Sequence, residues 1–409
     1  MWFEGHRVGD LRQVAAGLSF QYASGWLESP QAFALALPLP LRDEAFGKPA
    51  ANYFSNLLPE GPARQAVCAR LGISYDNDYA LLQALGRDCA GAISVTDETV
   101  PPKISGKRRP VTSVDLLGYL RSESVFAAAV GDDVRLSLAG AQDKLAVIKH
   151  EQELYLPLDA TPSTHLLKFQ NRRFAALPEN EFFMLTLAAA IGLPTVQAQP
   201  FLVDGVMQLM IVRYDRQATG KVMRRLHQQD FCQALGVSQN NKYEAEGGAT
   251  FADCLAVVRS TSVNALADTR ELLRWLVFCL VIGNRDNHAK NLSLLRTQDG
   301  QWRLAPFYDL VCTAAYSTLS RKLAMSIGRS TDGGKLSRGS WEDEATRLDV
   351  APRFLLRLVQ EVCDDLRTAL PGVVETVSGI IPKAASLEGP SRAIAKGLRS
   401  AQRSLLAAK

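Results

Sequence analysis

The stretch IGNRDNHAKNLSL, Ile282–Leu294, is the part of the sequence that decides the fold. It follows the apolar run Trp275–Gly283, which predicts the end of a buried helix, and it precedes a predicted strand. In the polar loop between them, Asp286 is followed after four residues by Asn291. Asp309 stands eighteen residues beyond Asn291, just after a second predicted strand. A hairpin of these two strands would bring Asn291 and Asp309 together.

Two carboxylates and one amide at this spacing are typical of phosphoryl transfer. One carboxylate, here Asp286, orients the attacking hydroxyl and accepts its proton, while Asn291 and Asp309 supply oxygen ligands for Mg²⁺. His288 and Lys290 on the same loop add a ring and a cation for contacts with a polyphosphate. The alternative is a plain polar turn, since Asp and Asn at this separation often occur by chance. The predicted hairpin and Asp309 favour phosphoryl transfer.

Two further stretches predict contacts with phosphates. SLAGAQDK, Ser137–Lys144, joins two predicted strands, and its small residues would lay backbone N–H groups over phosphates. It has a single glycine, Gly140, so a plain β-turn is the alternative.

Lys168 lies on the predicted strand THLLKF, where we expect it to contact nucleotide phosphates and to pair with Glu179 or Glu181. The alternative is a lysine that reaches solvent from a strand end.

The stretch MIVRYDR, Met210–Arg216, follows a predicted hairpin and is interpreted as a hinge. Its backbone groups would contact adenine, Tyr214 would stack on the base, and Asp215 would lie near the ribose. The alternative is a strand end with a salt bridge.

The order of the predicted elements divides the chain into four segments. Residues 1–100 predict a compact N-terminal subdomain, and 101–115, from a proline-rich and basic stretch, predict a linker. Residues 116–221 are rich in strand patterns, and 222–409 are mostly helical. The sequence therefore predicts an α+β, bilobal fold with an extra N-terminal subdomain and a nucleotide between the lobes.

Composition and missing motifs exclude several classes of protein. The net charge of +4 is too small to indicate nucleic acid binding. The seven cysteines are scattered without a C-x-x-C pair, which argues against a disulfide framework and a zinc site. The absence of P-loop and G-x-G-x-x-G motifs argues against a P-loop NTPase and a dinucleotide-binding protein, and the five histidines are too far apart to indicate a histidine-rich metal site. No signal peptide and no run of about twenty apolar residues is present, so we expect a cytoplasmic protein.

These stretches, in this order, resemble the HipA family of bacterial type II toxin kinases. SLAGAQDK, THLLKF, ENEFF, VRYDR, GNRDNHAKN and FYDL are similar to its motifs, and FSNLLPEG (Phe54–Gly61) and GRDCAGA (Gly86–Ala92) resemble its N-terminal subdomain. The similarity extends over residues 5–370 or so. It implies a protein-kinase-like fold and a serine/threonine protein kinase that uses ATP and Mg²⁺.

The resemblance also implies roles for individual residues. Asp286 would be the catalytic base, and Asn291 and Asp309 would hold the metal. Ser137 would be autophosphorylated, and about two added negative charges beside the phosphate pocket would oppose ATP binding. Val212 stands where the family often has an acidic residue, but adenine is bound mainly through backbone groups, so we expect ATP binding to survive. The residues expected to contact the nucleotide are Ala139, Gly140, Ala141, Gln142, Asp143, Lys144, Lys168, Val212, Arg213, Tyr214, Asp215, His288 and Lys290.

Members of this family act in toxin–antitoxin pairs. The resemblance implies a helix-turn-helix, HipB-like antitoxin partner and indirect contact with operator DNA through that partner. It implies a protein substrate such as an aminoacyl-tRNA synthetase, with growth arrest and persistence as the outcome, and no membrane partner.

Two other functions stay open, namely a non-catalytic subunit that stabilises an antitoxin–DNA complex and a kinase of a small molecule. The intact Asp286, Asn291 and Asp309 argue against the first. The segment Ser391–Lys409 has five basic residues and no acidic one. We interpret it as a solvated terminal helix or as a contact with nucleic acid or the partner.

Overall fold

The computed structural model describes residues 1–15, 17–129, 142–220 and 222–406. The predicted phosphate-loop residues Ser137, Ala139, Gly140 and Ala141 lie outside these ranges, as does a strand predicted over 134–138. Within the described ranges, no helix has the length and apolar character needed to cross a membrane.

Helices and short strands alternate along the described ranges. The strands are β1 (Trp2–Phe3), β2 (His6–Arg7), β3 (Gly9–Val14), β4 (Gly17–Tyr22), β5 (Arg108–Pro110), β6 (Lys144–His150), β7 (Glu153–Pro157), β8 (His165–Lys168), β9 (Ala198–Val203), β10 (Val206–Val212), β11 (Arg216–Thr219), β12 (Val222–Arg225), β13 (Gln228–Asp230), β14 (Ser293–Arg296) and β15 (Trp302–Leu304). The α-helices are α1 (Ser24–Leu27), α2 (Lys48–Ser55), α3 (Gly61–Leu71), α4 (Asp78–Leu85), α5 (Ser113–Arg121), α6 (Val125–Ala129), α7 (Leu177–Ala190), α8 (Phe231–Leu235), α9 (Phe251–Thr261), α10 (Ala265–Ile282), α11 (Arg338–Arg347), α12 (Pro352–Ser378) and α13 (Glu388–Leu406).

The chain divides into two compact units. Unit 1 comprises residues 1–169, 210–240 and 295–300, and unit 2 comprises residues 170–209, 241–294 and 301–409. Each unit therefore combines residues from more than one of the four segments predicted from the sequence.

The main sheet of unit 1 has the strand order β5-β7-β6-β8-β10, and β10 enters the unit at Met210. Strands β5 to β8 pair antiparallel, and β6 buries Leu145, Ala146 and Val147. Strand β5 lies at the edge, where Pro110 is tolerated because an edge strand need not donate every N–H group. The segment 101–115, predicted as a linker, therefore contributes a strand to this sheet.

One strand prediction in unit 1 is wrong. The apolar stretch Leu35–Leu41 predicts a strand, but the structure has only an isolated bridge between Ala36 and Leu39 there. Pro38 and Pro40 lack the backbone N–H groups that a strand ladder requires. The stretch instead packs Leu35 and Leu39 into the core as irregular backbone.

Three arginines and two aspartates are buried together in unit 1, and Asp88 lies at their centre. Its Oδ1 accepts hydrogen bonds from Arg216 Nη2 at 2.7 Å and Arg225 Nη2 at 3.0 Å. Its Oδ2 accepts from Ser163 Oγ at 2.6 Å and from Arg213 Nη1 at 3.3 Å. Burial alone would raise the pKa of Asp88, but the Arg216, Arg213 and Arg225 charges outweigh it and hold the pKa well below its usual range.

The second carboxylate of this ion cluster is Asp215. Arg213 donates to it from Nη2 at 2.8 Å, Arg216 Nη1 lies 2.9 Å from its Oδ2, and the backbone N–H of Gly91 donates at 2.8 Å. Burial and the neighbouring Arg213 charge lower the pKa of Arg216 to about 10. Because Asp88 and Gly91 belong to GRDCAGA while the arginines belong to VRYDR and β12, the ion cluster joins three sequence segments within unit 1.

Helix α10 forms the centre of unit 2. Eleven of its residues are buried, including Trp275, whose ring stacks on Phe307 at a centroid distance of 5.9 Å. Helices α9, α12 and α13 pack around it. At the contact with α13, a Cβ atom on Gly397 would lie 2.0 Å from the carbonyl oxygen of Val281. The two helices therefore approach each other at a distance that only glycine permits.

We predict opposite effects for two helical glycines of unit 2. Gly397→Ala should lower the free energy of unfolding by about 1–3 kcal/mol, because the added methyl group overlaps the Val281 carbonyl. Gly372→Ala in α12 should raise it by up to about 1 kcal/mol, because alanine favours the helix and the new Cβ would meet no atom within 4 Å beyond the adjoining residues and backbone of α12 itself. Urea titrations of both variants test this, and stabilisation by Gly397→Ala would contradict the close approach.

We predict that Asp88→Asn destabilises the protein by about 3–5 kcal/mol, because three buried guanidinium groups would lose the carboxylate that they all contact. The control is Asp364→Asn, which removes an exposed ion pair with Arg367 and should cost less than about 1 kcal/mol. Chemical denaturation monitored by circular dichroism measures both. Equal losses for the two variants would show that the ion cluster does not stabilise unit 1.

Candidate active site

The predicted catalytic loop begins where α10 ends. Gly283 closes the helix in the left-handed conformation, with φ of +72°, and the N–H of Asn284 bonds to the carbonyl of Cys279 at 2.9 Å. A Cβ on Gly283 would lie 2.6 Å from the Cβ of Ala314. Gly283 therefore permits both the turn out of the helix and the close contact with the segment after Asp309.

Hydrogen bonds within the loop bring Asp286 and Asn291 together. Asn291 Nδ2 donates to the backbone carbonyl of Asp286 at 2.8 Å, and the Asn291 N–H donates to the carbonyl of His288 at 2.9 Å. The Asp286 N–H donates to Asn284 Oδ1 at 3.1 Å. The loop thus closes into a compact turn in which the Asn291 side chain is bonded to the Asp286 backbone.

The carboxylate of Asp286 is half exposed and lies next to two rings. Its Oδ1 accepts a hydrogen bond from Tyr243 Oη at 2.7 Å, and His288 Nε2 lies 3.7 Å away. The Tyr243 and His288 rings meet edge to face at 5.4 Å. The sequence interpretation missed Tyr243, which stands 43 residues before Asp286. The sequence around it, KYEAEGG, has no motif that would have signalled the contact.

Asp309 is held close to the same loop. The preceding residue, Tyr308, donates through its hydroxyl to the carbonyl of Lys290 at 3.0 Å, and that hydroxyl lies 2.7 Å from Ser293 Oγ. Asp309 itself has φ of +51°, which is rare outside glycine and is often found at functional sites. The structure therefore brings the predicted metal ligands Asn291 and Asp309 onto adjoining segments.

A residue of α7 fixes the segment after Asp309. Asn180 Nδ2 donates to the carbonyl of Cys312 at 3.1 Å, and the Cys312 N–H donates back to Asn180 Oδ1 at 2.9 Å. Asn180 lies in the motif ENEFF, whose acidic residues Glu179 and Glu181 are the predicted partners of Lys168. Glu179 accepts from Gln170 Nε2 at 2.8 Å, burial raises its pKa, and Glu181 is fully buried. Their pairing with Lys168 stays a prediction.

The predicted phosphate-binding lysines lie on neighbouring strands of unit 1. Lys144 on β6 and Lys168 on β8 are direct cross-strand partners, so their side chains project from the same face of the sheet. Lys168 is 3% exposed. Beside them, Asp143 Oδ1 accepts from Ser124 Oγ at 3.0 Å. The register therefore places both predicted phosphate-binding lysines on one face of the sheet.

The predicted hinge residues divide into buried and accessible groups. Arg213 and Asp215 belong to the ion cluster, so the salt bridge weighed as the alternative is what their side chains form. The Tyr214 hydroxyl is hydrogen bonded to Gln228 Oε1, and the side chain of Val212 is 37% exposed. Contact with a nucleotide through the Asp215 side chain would require breaking the cluster, which leaves the backbone of this stretch as the predicted adenine contact.

Groups of three or more His, Cys, Asp or Glu side chains that could hold a metal ion are absent from the described ranges. The predicted magnesium site is of another kind, with one carboxylate and one amide. Asn291 donates from its side-chain Nδ2 to the Asp286 carbonyl, and its side-chain Oδ1 is the type of oxygen ligand that a hard cation prefers. The donor set therefore fits Mg²⁺ that is bound mainly by phosphate and water.

Comparisons with known proteins agree with the sequence resemblance. Residues 1–96 match the HipA N-terminal domain, and residues 136–370 match the HipA-like C-terminal domain. The Sinorhizobium fredii protein Y4mE is 37% identical over 93% of this chain and 92% of its own length. The serine/threonine-protein kinase toxin HipA of Shewanella oneidensis is 30% identical over 80% of this chain and 77% of its own length.

The fold is also that of a solved structure, the Shewanella oneidensis MR-1 toxin–antitoxin system HipA, HipB and its operator DNA complex. The TM-score is 0.84 at 25% identity, over 99% of this chain and 97% of that chain. The predicted α+β fold of the HipA type is thereby confirmed. On the two domain matches and the Y4mE similarity, this chain belongs to the HipA family.

Proposed function

We propose that this chain is an ATP-dependent serine/threonine protein kinase that acts as the toxin of a toxin–antitoxin pair. The observation that carries the proposal is the loop in which Asp286 and Asn291 are hydrogen bonded, with Asp309 on the adjoining segment. The named activity of the Shewanella oneidensis relative supports the same reaction class.

The side chains of this chain have separate parts in the proposed reaction. Asp286 accepts the proton of the attacking serine or threonine hydroxyl, and its half-exposed carboxylate is accessible to that hydroxyl. Asn291 and Asp309 hold Mg²⁺, which when bound neutralises charge on the phosphates. Lys144 and Lys168 attract the triphosphate, and the backbone of Val212 and Tyr214 binds adenine.

Regulation and partners complete the proposal. Ser137 is the autophosphorylated residue, and its phosphate would oppose ATP by adding negative charge beside the phosphate loop. The antitoxin is a HipB-like protein that carries this chain to operator DNA, as supported by the complex in which the structural relative was solved. The protein substrate is a translation component such as an aminoacyl-tRNA synthetase.

The test is transfer of labelled phosphate from ATP in the presence of magnesium. Wild type should take up label, and Asp286→Asn should reduce the rate by at least about 100-fold, because the amide cannot accept the proton. Asp309→Asn should abolish transfer by weakening the metal site. Ser137→Ala should lose self-labelling and retain transfer to an added protein substrate.

Asp343→Asn serves as the matched control, since Asp343 is an exposed carboxylate on α11 and should label like wild type. Wild type must first be treated with phosphatase, so that an already modified Ser137 does not block uptake. If the treated protein neither takes up label nor binds ATP, the kinase proposal fails. Label that appears only on an added small molecule would instead identify a small-molecule kinase.

A further inference from the structure

Tyr243 is in direct contact with the proposed catalytic base although it lies outside every predicted motif. Its hydroxyl donates to Asp286 Oδ1 at 2.7 Å, which is within the distance that a strong hydrogen bond to a carboxylate requires. The tyrosine ring also packs edge to face against His288, which belongs to the same loop. Tyr243 therefore touches the loop at two points, one polar and one aromatic.

The backbone that carries Tyr243 is firmly held. Its carbonyl accepts hydrogen bonds from the N–H groups of Glu246 and Gly248, both at 2.9 Å. The next residue, Glu244, donates its N–H to the carbonyl of Ala324 at 3.1 Å. A Cβ on Gly248 would lie 2.3 Å from the carbonyl oxygen of Asn241, so the turn is too tight for another residue. This backbone fixes where the tyrosine side chain begins.

The Glu244 side chain ties the same turn to a second segment. Its Oε2 accepts from the N–H of Ser326 at 2.5 Å, and its Oε1 accepts from Ser326 Oγ at 2.8 Å. Arg347 Nη2 lies 3.6 Å from the same carboxylate. Because the turn that carries Tyr243 is bonded to a second segment, the Tyr243 side chain starts from a fixed backbone. It is therefore suited to hold Asp286 in place.

We propose that Tyr243 is a positioning residue for phosphoryl transfer, which fixes the Asp286 carboxylate so that Oδ2 faces the acceptor hydroxyl. This inference rests on the proposed kinase function. A carboxylate on a half-exposed loop can otherwise rotate, and its two oxygens are chemically equivalent. With Oδ1 bonded to Tyr243, one oxygen and one rotamer are selected before the substrate arrives.

This orientation matters in the phosphoryl-transfer step, in which ATP is the donor. The acceptor oxygen bonds to the γ-phosphorus, the bond from that phosphorus to the β-bridging oxygen breaks, and ADP leaves. The proton of the acceptor hydroxyl goes to Asp286 Oδ2. Tyr243 keeps its own proton throughout and remains the hydrogen-bond donor to Oδ1.

The experiment measures initial rates of label uptake at several concentrations of Mg·ATP. Tyr243→Phe keeps the ring contact with His288 and removes only the hydroxyl. We expect its maximal rate to fall on the order of 10-fold, because the base is no longer preoriented. The ATP concentration at half-maximal rate should stay within about 2-fold of wild type, since the hydroxyl is bonded to the base.

A matched control is Tyr155→Phe, which removes another tyrosine hydroxyl bonded to a carboxylate, that of Glu153, on strand β7 of unit 1. It should label like wild type. Thermal unfolding of Tyr243→Phe, Asp286→Ala and the double variant tests the contact itself. Effects that are not additive support the hydrogen bond, and additive effects contradict it.

The possible results distinguish failure of the kinase proposal from failure of the positioning role of Tyr243. Absence of label in wild type overturns the kinase proposal and the positioning role together. Equal maximal rates for wild type and Tyr243→Phe overturn the positioning role alone. A rise in half-saturating ATP without a change in maximal rate also overturns it, as does label found on Tyr243 itself, which would make this hydroxyl an acceptor.

Discussion

Charged groups buried away from water can persist only where each is bonded to an opposite charge or to several hydrogen-bond partners. Unit 1 depends on this constraint, because it buries three arginines and two aspartates in one cluster. The two carboxylates are each bonded to at least two guanidinium groups, and Ser163 and Gly91 supply further donors. Any change that removes one carboxylate leaves an uncompensated charge in the interior.

The cluster also determines what the VRYDR stretch can do. Its arginines and Asp215 are directed into the interior of unit 1, so these conspicuous polar residues have a structural role in the folded chain. The backbone that follows β10 is correspondingly fixed, since the Arg213 N–H donates to the Thr164 carbonyl at 3.0 Å. A rigid backbone is what recognition of adenine through main-chain groups requires, so the cluster and the proposed hinge function are compatible.

In unit 2, uncharged groups fix the loop that is predicted to be catalytic. Thr313 Oγ1 accepts from the Arg285 N–H at 2.9 Å and donates to the Gly283 carbonyl at 3.0 Å. Asn180 holds the segment at Cys312, and Tyr308 holds the loop at Lys290. These bonds join the loop to the segment that carries Asp309. The proposed base and metal ligands are thus placed by a network whose members are mostly not part of the chemistry.

Much of this arrangement could be predicted because it follows from local patterns. The end of helix α10 follows from an apolar run that stops at Gly283, and in the structure Gly283 is the residue that caps this helix. The close placement of Asp286 and Asn291 likewise follows from their short separation in the sequence. In each case neighbours in the sequence are also neighbours in space.

The rest could not be predicted, because it depends on contacts between residues far apart in the sequence. Asp88 bonds to arginines more than a hundred residues away, and Tyr243 contacts Asp286 across 43 residues. The strand predicted over 35–41 is wrong for a different reason, because Pro38 and Pro40 lack the backbone N–H groups that a strand ladder requires.

A sequence motif shows local contacts, but the orientation of a side chain in the motif can depend on residues far away in the sequence. The motif GNRDNHAKN contains the residues proposed to carry out the chemistry, but the motif does not show how these residues are oriented. A carboxylate becomes an effective base when its rotamer and its free oxygen are selected in advance. In this chain we propose that this selection comes from Tyr243, on a turn held by Glu244 and Gly248. The catalytic capacity proposed for the loop would then depend on a segment that lies outside the motif.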